Sequence, residues 1–335
     1  MASNEEYPVD EEIAHFFEKT TATRAACDAY AAEHFGGEVI PVAVQGVCSY
    51  TVYVGSSSEF VIQFRLRSLA LKVETVNLAR TKYGHFAPQV AFRGQIGDDM
   101  EGREPVYIYV MNRVPGVSYL DFILTYNSRI PESSATFSSW RKTLVTDIAK
   151  FFALSWKSTQ TVDQTYRDEL YHQYKKELEL LLTSLPCPIF SLPMVLLHRD
   201  FGVCNIMVDE KSCNLKGVID WAEAEIAPFG LNLHSHQRLI SRVYLKNGWT
   251  RYDDYITFEE IFWATLRKEA GGLDDETIRV IKLARVVGLL LSRGFSRLAN
   301  QPVPVPIQDD EHEAYRMRDL DGLLINPDTR FTELT

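Results

Sequence analysis

Residues 198–205 read His-Arg-Asp-Phe-Gly-Val-Cys-Asn, and residues 218–221 read Val-Ile-Asp-Trp. The first stretch lies between two apolar runs, 195–197 and 206–208, which predicts a strand that enters a polar loop and a second strand that leaves it. Polar residues 209–214 then predict a turn, and residues 215–219 predict a returning strand. This arrangement is expected to hold Asp200, Asn205 and Asp220 together at one end of the strands.

These three side chains have the chemistry of a metal-dependent phosphoryl-transfer site. Asp200 can accept a hydrogen bond from an acceptor hydroxyl and orient it for attack, while Asn205 and Asp220 offer a neutral and an anionic oxygen to Mg²⁺. A single aspartate in a loop is more often a turn or cap residue. The joint spacing, with its flanking strands, favours the chemical interpretation.

Length and charge narrow the class of protein. A chain of 335 residues exceeds a typical single core, so two lobes are expected. The net charge of −10 argues against nucleic acid or an anionic membrane as partner, and it tolerates a cationic substrate. Five cysteines without a CxxC pair predict reduced thiols, and the sequence has no apolar run of membrane-spanning length. We expect an intracellular, cytoplasmic protein.

Periodicity predicts two regions of different character. Residues 1–111 are expected to form a small α+β lobe, with helices at 11–35 and 69–83 and strands in 39–64, 89–92 and 106–111. Proline and glycine near residue 115 predict a hinge over 112–118. Residues 119–335 are expected to be mainly helical. The predicted helices there are 119–126, 139–157, 164–185, 255–270 and 277–299.

The motif H-x-D-x(4)-N followed by I-D-W resembles that of the aminoglycoside phosphotransferase and choline kinase-like family, and the chain is most similar to its fungal phosphotransferase-enzyme-family members. The resemblance covers about residues 40 to 300. It implies an α+β, bilobal, protein-kinase-like fold whose N-terminal lobe, 1–111, binds ATP. It further implies that Asp200 is the catalytic base, that Asn205 and Asp220 bind Mg²⁺, and that Met111 and Val114 flank the adenine.

The resemblance also assigns roles in the N-terminal lobe. The segment 45–52 resembles the family's short turn over the phosphates, in which Gly46 and Ser49 would contact the nucleotide, although a plain hairpin is an equal alternative. The family carries a cation on the next strand, but Gln63 stands at that position. Arg65 lies on the same strand face two residues on, and Glu74 is its candidate partner. Whether Arg65 replaces the cation stays open.

Other departures concern the acceptor. Gly202 stands where protein kinases have a lysine, and no Ala-Pro-Glu segment follows Asp220, so a small acceptor is expected rather than a protein. Ala227 and Asn232 replace acids that brace the loop in relatives. Glu223 and Glu225 add negative charge, which could bind a cationic acceptor or simply face water.

We therefore predict an ATP- and Mg²⁺-dependent phosphotransferase that moves the γ-phosphoryl group to a hydroxyl of a small molecule. His198 is interpreted as packing beneath the loop, and Arg199 as reaching a neighbouring carboxylate. Two alternatives stay open: a catalytically impaired, pseudokinase-like binding protein, and the same pocket used for non-kinase chemistry. The acceptor's identity, the choice of ATP or GTP, and the oligomeric state stay open as well.

Overall fold

The chain divides after Val114 into two units, Met1–Val114 and Pro115–Thr335. The division falls within residues 112–118, the range predicted as a hinge. The structure is a computed structural model that describes residues 8–127, 129–179, 187–244, 248–296, 304–308, 310 and 313–331. In that part of the chain, no helix is both long enough and apolar enough to cross a membrane.

The first unit is built on an antiparallel sheet of five strands, counted over the described residues, in the order β1-β2-β3-β5-β4. Along β3, Ile62, Phe64 and Leu66 are buried while Gln63 and Arg65 are not, as the two-residue period of a strand requires. The elements in chain order are α1 Val9–Glu18, α2 Arg24–Phe35, β1 Ile40–Pro41, β2 Ser49–Val54, β3 Phe60–Leu66, α3 Val73–Tyr83, β4 Val90–Ile96 and β5 Val106–Asn112.

The prediction of one helix over 11–35 is wrong, because the chain forms two helices, α1 and α2. Threonines interrupt it. The Thr23 hydroxyl accepts the backbone N–H of Ala26 and so caps the N-terminus of α2. The Thr20 hydroxyl donates a hydrogen bond of 2.6 Å to the carbonyl oxygen of Glu104, a contact outside the helix. Both helices contribute to the core that covers the sheet, which includes Ile13 and Phe16 of α1.

The second unit is mainly helical, with several short antiparallel sheets of two or three strands. Its elements are β6 Val117–Ser118, α4 Tyr119–Asn127, α5 Ala135–Lys157, α6 Gln164–Leu178, β7 Met194–Leu197, β8 Ile206–Val208, β9 Leu215–Val218, β10 Glu225–Pro228, α7 Gln237–Ile240, β11 Ser241–Tyr244, β12 Gly248–Arg251, α8 Tyr255–Glu269, α9 Asp275–Arg293, β13 Phe295–Ser296, β14 Val305–Pro306 and α10 Ala314–Leu320. A π-helical turn, Asp321–Ile325, follows α10 directly. With the sheet of the first unit, these elements confirm the predicted α+β class.

Helix α5 packs beneath the loop that follows β7 and beneath the start of β9. Its apolar face is buried, and the rings of Phe151 and Phe152 lie 6.0 and 5.1 Å from that of Phe201 in the loop after β7. The Asp147 carboxylate of the same helix accepts the backbone N–H of Leu215, at the start of β9. The helix therefore supports both the loop and the returning strand, so that loop position follows from core packing.

Helix α9 ends earlier than predicted. It stops at Arg293, where Gly294 caps it and strand β13 begins, whereas the predicted helix ran to residue 299. Residues 297–299 lie outside the described part of the chain, as do residues 180–185 of the predicted helix 164–185. Within α9, Gly288 lies against the backbone of Leu231, so closely that an added Cβ would stand 1.6 Å from its carbonyl oxygen.

Candidate active site

The loop that joins β7 to β8 is anchored at its first residue. The His198 Nε2 lies 2.7 Å from the carbonyl oxygen of Ile219, and its ring packs edge-on against Trp221. Burial lowers the pKa of His198, so the imidazole is neutral at physiological pH and donates from Nε2. His198 thus holds the loop to the segment before Asp220, in agreement with its interpretation as a packing residue.

Asn232 braces the loop, although an asparagine stands here in place of the acid that relatives have. Its side-chain amide donates to the carbonyl oxygen of His198 at 3.2 Å, and the residue is buried. The bond needs only a donor, which a carboxylate could not supply in its ionised form. Ala227 is buried in β10 and pairs in register with Val195 of β7.

Asp200 and Asn205 are joined directly. The Asn205 Nδ2 donates to the carbonyl oxygen of Asp200 and to its Oδ2, both at 2.9 Å. The backbone N–H of Asn205 in turn donates to Gly202, which closes the loop. Asp200 is exposed, so its carboxylate is accessible to a second molecule while one oxygen is held in place.

Asp220 is fixed relative to Asn205 through the backbone. The N–H of Ile219 donates to the carbonyl oxygen of Asn205 at 2.9 Å, which extends the pairing of β8 with β9 by one bond. Asp220 itself has φ 61° and ψ 63°, a left-handed conformation that is uncommon outside glycine. Residues in such conformations cluster at functional sites. The turn leaves the Asp220 side chain exposed, while Trp221 beside it is buried.

The donor set at Asn205 and Asp220 fits Mg²⁺. Because the amide nitrogen of Asn205 is occupied by Asp200, its Oδ1 is the atom that remains to bind a cation. Mg²⁺ commonly binds one or two protein oxygens together with phosphate oxygens and water. The described residues contain no group of three or more His, Cys, Asp or Glu side chains that could hold a metal ion.

The two glutamates predicted to meet the acceptor have different surroundings. Glu225 begins β10, and its Oε1 accepts from Arg199 at 2.5 Å and from the Tyr174 hydroxyl at 3.0 Å. Burial and this carboxylate raise the pKa of Tyr174, which therefore stays a hydrogen-bond donor. Arg199 thus reaches a neighbouring carboxylate, as interpreted. Glu223, by contrast, is exposed.

In the first unit, the predicted phosphate turn is a loop between paired strands. Residues 42–48 form the loop that joins β1 to β2, so this part of the range 39–64, in which strands were predicted, is not a strand. Gln45 explains the difference, since its side chain donates to the carbonyls of Val42 and Thr51 and accepts the N–H of Thr51. Gly46 is exposed at the tip of the loop and Ser49 is buried at its end.

Strand β3 places Gln63 and Arg65 on the face that the core does not cover. Gln63 pairs in register with Thr51 and Tyr109, and Arg65 with Ser49 and Tyr107. The Arg65 Nε donates to the carbonyl of Leu69 at 2.9 Å, which holds the side chain near the start of α3.

Glu74 lies in the first turn of α3 and is exposed. Within the described residues, Arg65 and Glu74 form no ion pair with each other. That Arg65 takes the place of the cation missing at Gln63 stays a prediction. Met111 lies at the end of β5, partly buried and opposite Val61 and Val90, and Val114 is buried at the last position of the unit.

A cavity beside Asp200 was not found by sequence reasoning. It has a volume of about 160 Å³, and its wall is formed by the loop 200–205 together with residues from five other segments: His234, Ser235, Arg238, Trp249, Leu289, Arg293, Tyr315, Asp319 and Leu323. These residues are spread over about 90 positions without a shared motif, so no local signal could have identified them. A larger cavity, of about 580 Å³ and lined in part by Trp156, contains none of the predicted site residues.

Residues 87–242 match the phosphotransferase enzyme family, a range just under half of the chain. The range contains the whole stretch from His198 to Trp221, so the predicted resemblance to the aminoglycoside phosphotransferase and choline kinase-like family is confirmed where the motif lies. It begins after Gly46, Gln63 and Glu74. The sequence matches no curated protein.

Two solved structures illustrate what the chain is similar to. An ethanolamine kinase from Plasmodium vivax is 11% identical, with 86% of this chain and 87% of that chain covered and a TM-score of 0.45. An aminoglycoside phosphotransferase from Streptomyces rimosus, in complex with ADP and streptomycin, is 14% identical, with 79% and 97% covered and a TM-score of 0.42. Similarity at this level transfers neither substrate nor site residues.

Proposed function

Since residues 87–242 match the phosphotransferase enzyme family, we propose that this chain transfers the γ-phosphoryl group of ATP to a hydroxyl of a small molecule with the help of Mg²⁺. The observation that carries the proposal is the connected set of Asp200, Asn205 and Asp220. One carboxylate is aligned by the amide of Asn205, and the remaining oxygens suit a divalent cation.

Each side chain has a proposed role. Asp200 accepts the proton of the acceptor hydroxyl while the oxygen of that hydroxyl bonds to the γ-phosphorus. The bond between the γ-phosphorus and the bridging oxygen breaks, which releases ADP. Asn205 and Asp220 would hold Mg²⁺, which would supply charge neutralisation at the phosphates. In such reactions positioning and electrostatics provide most of the rate.

The nucleotide itself is proposed to bind residues of the first unit. Gly46 and Ser49 would contact the phosphates, and Met111 with Val114 the adenine. Gln63 cannot supply a positive charge there, so Arg65, with Glu74 as its candidate partner, is the proposed substitute. Of the two candidate acceptor glutamates, Glu223 is exposed, whereas Glu225 is already bonded to Arg199 and Tyr174.

The proposed role of Asp200 as the base can be tested by substitution. We expect Asp200→Asn to lower ADP formation by at least about 100-fold while ATP affinity changes little, because the amide cannot take up the proton. ADP release under saturating ATP and Mg²⁺ measures turnover, and calorimetry measures affinity. Glu210→Gln is the matched control, since this exposed carboxylate lies in the nearby 209–214 turn.

The result also separates the alternative functions. Retained turnover in Asp200→Asn removes Asp200 as the base. Binding of ATP without any ADP formation by the wild-type protein favours the pseudokinase-like binding protein, which the uncharged Gln63 supports. The absence of nucleotide binding at millimolar concentration favours non-kinase chemistry.

A further inference from the structure

The cavity beside Asp200 has a positively charged end. Two arginines from different elements, Arg238 of α7 and Arg293 at the end of α9, converge on the single carboxylate of Asp319 in α10. Arg238 contacts both Asp319 oxygens, at 2.9 and 2.8 Å, and the Arg293 Nε lies 2.9 Å from Oδ2. One carboxylate therefore faces two guanidinium groups, which leaves an excess of one positive charge.

Other charges around the cavity do not cancel this excess at the arginine end. Asp319 is only 3% exposed and also accepts the indole N–H of Trp249, so its two oxygens are fully engaged. His234 adds no charge, because burial and the nearby Arg293 lower its pKa to about 3. Among the described residues of the wall, the other carboxylate is Asp200, which belongs to the loop.

The arginines are held in defined positions. The Arg238 guanidinium lies 5.3 Å from the centre of the Trp249 ring and 5.2 Å from that of Tyr315, and Arg293 lies 5.4 Å from the latter. Both side chains are only partly exposed, at 20% and 25%. A guanidinium that is fixed before binding loses less side-chain freedom when it meets an anion.

The cavity size restricts what can enter. Its volume of about 160 Å³ is close to that of a cavity that holds one benzene molecule, and well below the roughly 300–1,000 Å³ of pockets for drug-sized ligands. Leu289 and Leu323 supply apolar wall. This volume suits a compact group with one apolar side, such as a single ring with small substituents.

We infer that the acceptor is a compact hydroxy acid, whose carboxylate binds Arg238 and Arg293 while its hydroxyl meets Asp200. The inference rests on the proposed function and specifies its substrate class. Arginine matches the planar carboxylate through paired N–H donors, which makes it the preferred residue for such a group. The same two arginines disfavour a cationic acceptor, which the negative charges of Glu223 and Glu225 had suggested.

Three matched probes test the charge preference: 4-(hydroxymethyl)benzoate, 4-(hydroxymethyl)benzamide and 4-(hydroxymethyl)benzylamine. They share one hydroxyl and one ring and differ only in the charge of the far group. We expect kcat/KM for ADP formation to be about 10- to 100-fold higher for the benzoate than for the benzamide, with the amine lowest. Equal values, or a preference for the amine, overturn the inference while leaving the phosphotransferase proposal intact.

Variants identify the residues responsible. The double variant Arg238→Gln/Arg293→Gln is expected to lose the preference for the benzoate through KM, and Arg238→Lys/Arg293→Lys to keep part of it. Arg279→Gln is the matched control, because this exposed arginine of α9 pairs with Glu276 away from the cavity. A benzoate preference that persists in the folded double glutamine variant contradicts the assignment.

Binding without nucleotide separates this inference from the proposed function. Calorimetry should detect the benzoate on the wild-type protein and on Asp200→Asn, and about 10-fold weaker or no binding on the double glutamine variant. If the benzoate binds but no acceptor yields ADP, the anion site stands and the phosphotransferase proposal fails. If the wild-type protein binds the benzamide as tightly as the benzoate, the anion site fails.

Discussion

At the scale of single residues, Asp220 meets two demands at once. Its backbone is left-handed, with φ 61°, while its carboxylate is the proposed Mg²⁺ ligand. Aspartate and asparagine enter this conformation more readily than other residues with a side chain, because their short polar groups bond locally. The choice of residue at 220 is therefore limited by the backbone as well as by the metal.

Substitutions at 220 should separate these demands. We expect Asp220→Ala to unfold about 1 kcal/mol more easily than Asp220→Gly, since a methyl group disfavours the left-handed conformation and glycine does not. Asp220→Asn should remain close to wild type in stability yet lose the Mg²⁺-dependent part of ATP binding. Urea denaturation measures the first effect and calorimetry with and without Mg²⁺ the second. Equal stability of the alanine and glycine variants would contradict a strained backbone.

At the scale of elements, α9 determines where the segment 230–234 lies. Gly288 allows the helix to approach the backbone of Leu231, and the next residue, Asn232, braces the loop through His198. The contact between α9 and Leu231 therefore affects the position of the loop indirectly, through Asn232 and His198. Helix α9 also carries Leu289 and Arg293 into the cavity wall.

Gly288→Ala should therefore be costly. An added Cβ would stand 1.6 Å from the Leu231 carbonyl oxygen, so helix or segment must shift, and overpacking of this kind typically costs about 1–3 kcal/mol. Gly202→Ala is the matched control in the same unit, since a Cβ there meets no atom within 4 Å. Thermal or urea unfolding of both variants measures the difference. Similar stability of the two would show that the contact relaxes freely.

Sequence reasoning captured the elements whose signal is local. The strand that contains Gln63, a helix over 139–157 and the two strands around the 209–214 turn were all predicted, because periodicity and turn residues appear in neighbouring positions of the sequence. Asp200, Asn205 and Asp220 were predicted as site residues from the same local signal, and their roles stay predictions. The break between α1 and α2 was missed, because threonine caps compete with a helical pattern that continues on both sides.

Features that depend on residues far apart in the chain could not be predicted from the sequence. The pairing of β7 with β10 joins segments about 30 residues apart, and the hydroxyl of Tyr174 in α6 donates to Glu225 in β10. The charge of the cavity could not be predicted either. Arg238, Arg293 and Asp319 carry no motif, and only packing of α7, α9 and α10 brings them together.

At the scale of the whole molecule, acid stability should be limited by buried histidines. Burial lowers the pKa of His236 to about 4 and that of His234 to about 3, from an ordinary value of 6.5. Beside His236, the Glu259 carboxylate is also buried, but Arg285, His236 and two hydrogen bonds outweigh that burial and lower its pKa to about 2. All three groups thus resist protonation in the folded state.

The folded protein should therefore become less stable as the pH is lowered. Between pH 6.5 and about 4 the unfolded histidines bind protons that the folded ones do not, so stability falls as pH falls, by on the order of a few kcal/mol. Below about pH 4.5 Glu259 adds to the loss. Urea unfolding at several pH values measures the slope. His234→Gln/His236→Gln should flatten it above pH 4.5, and His85→Gln, at an exposed position, should not. A slope unchanged in the double variant would assign the acid sensitivity elsewhere.

Binding of an anion in the cavity should change the fluorescence of Trp249. Its indole N–H donates to Asp319, and its ring faces the Arg238 guanidinium. An anion that binds Arg238 alters the electric field across the indole, and the field sets the wavelength of tryptophan emission. Occupancy of the arginine end should therefore be visible as a spectral shift in intrinsic fluorescence, which Trp249→Phe abolishes and which requires no label and no turnover.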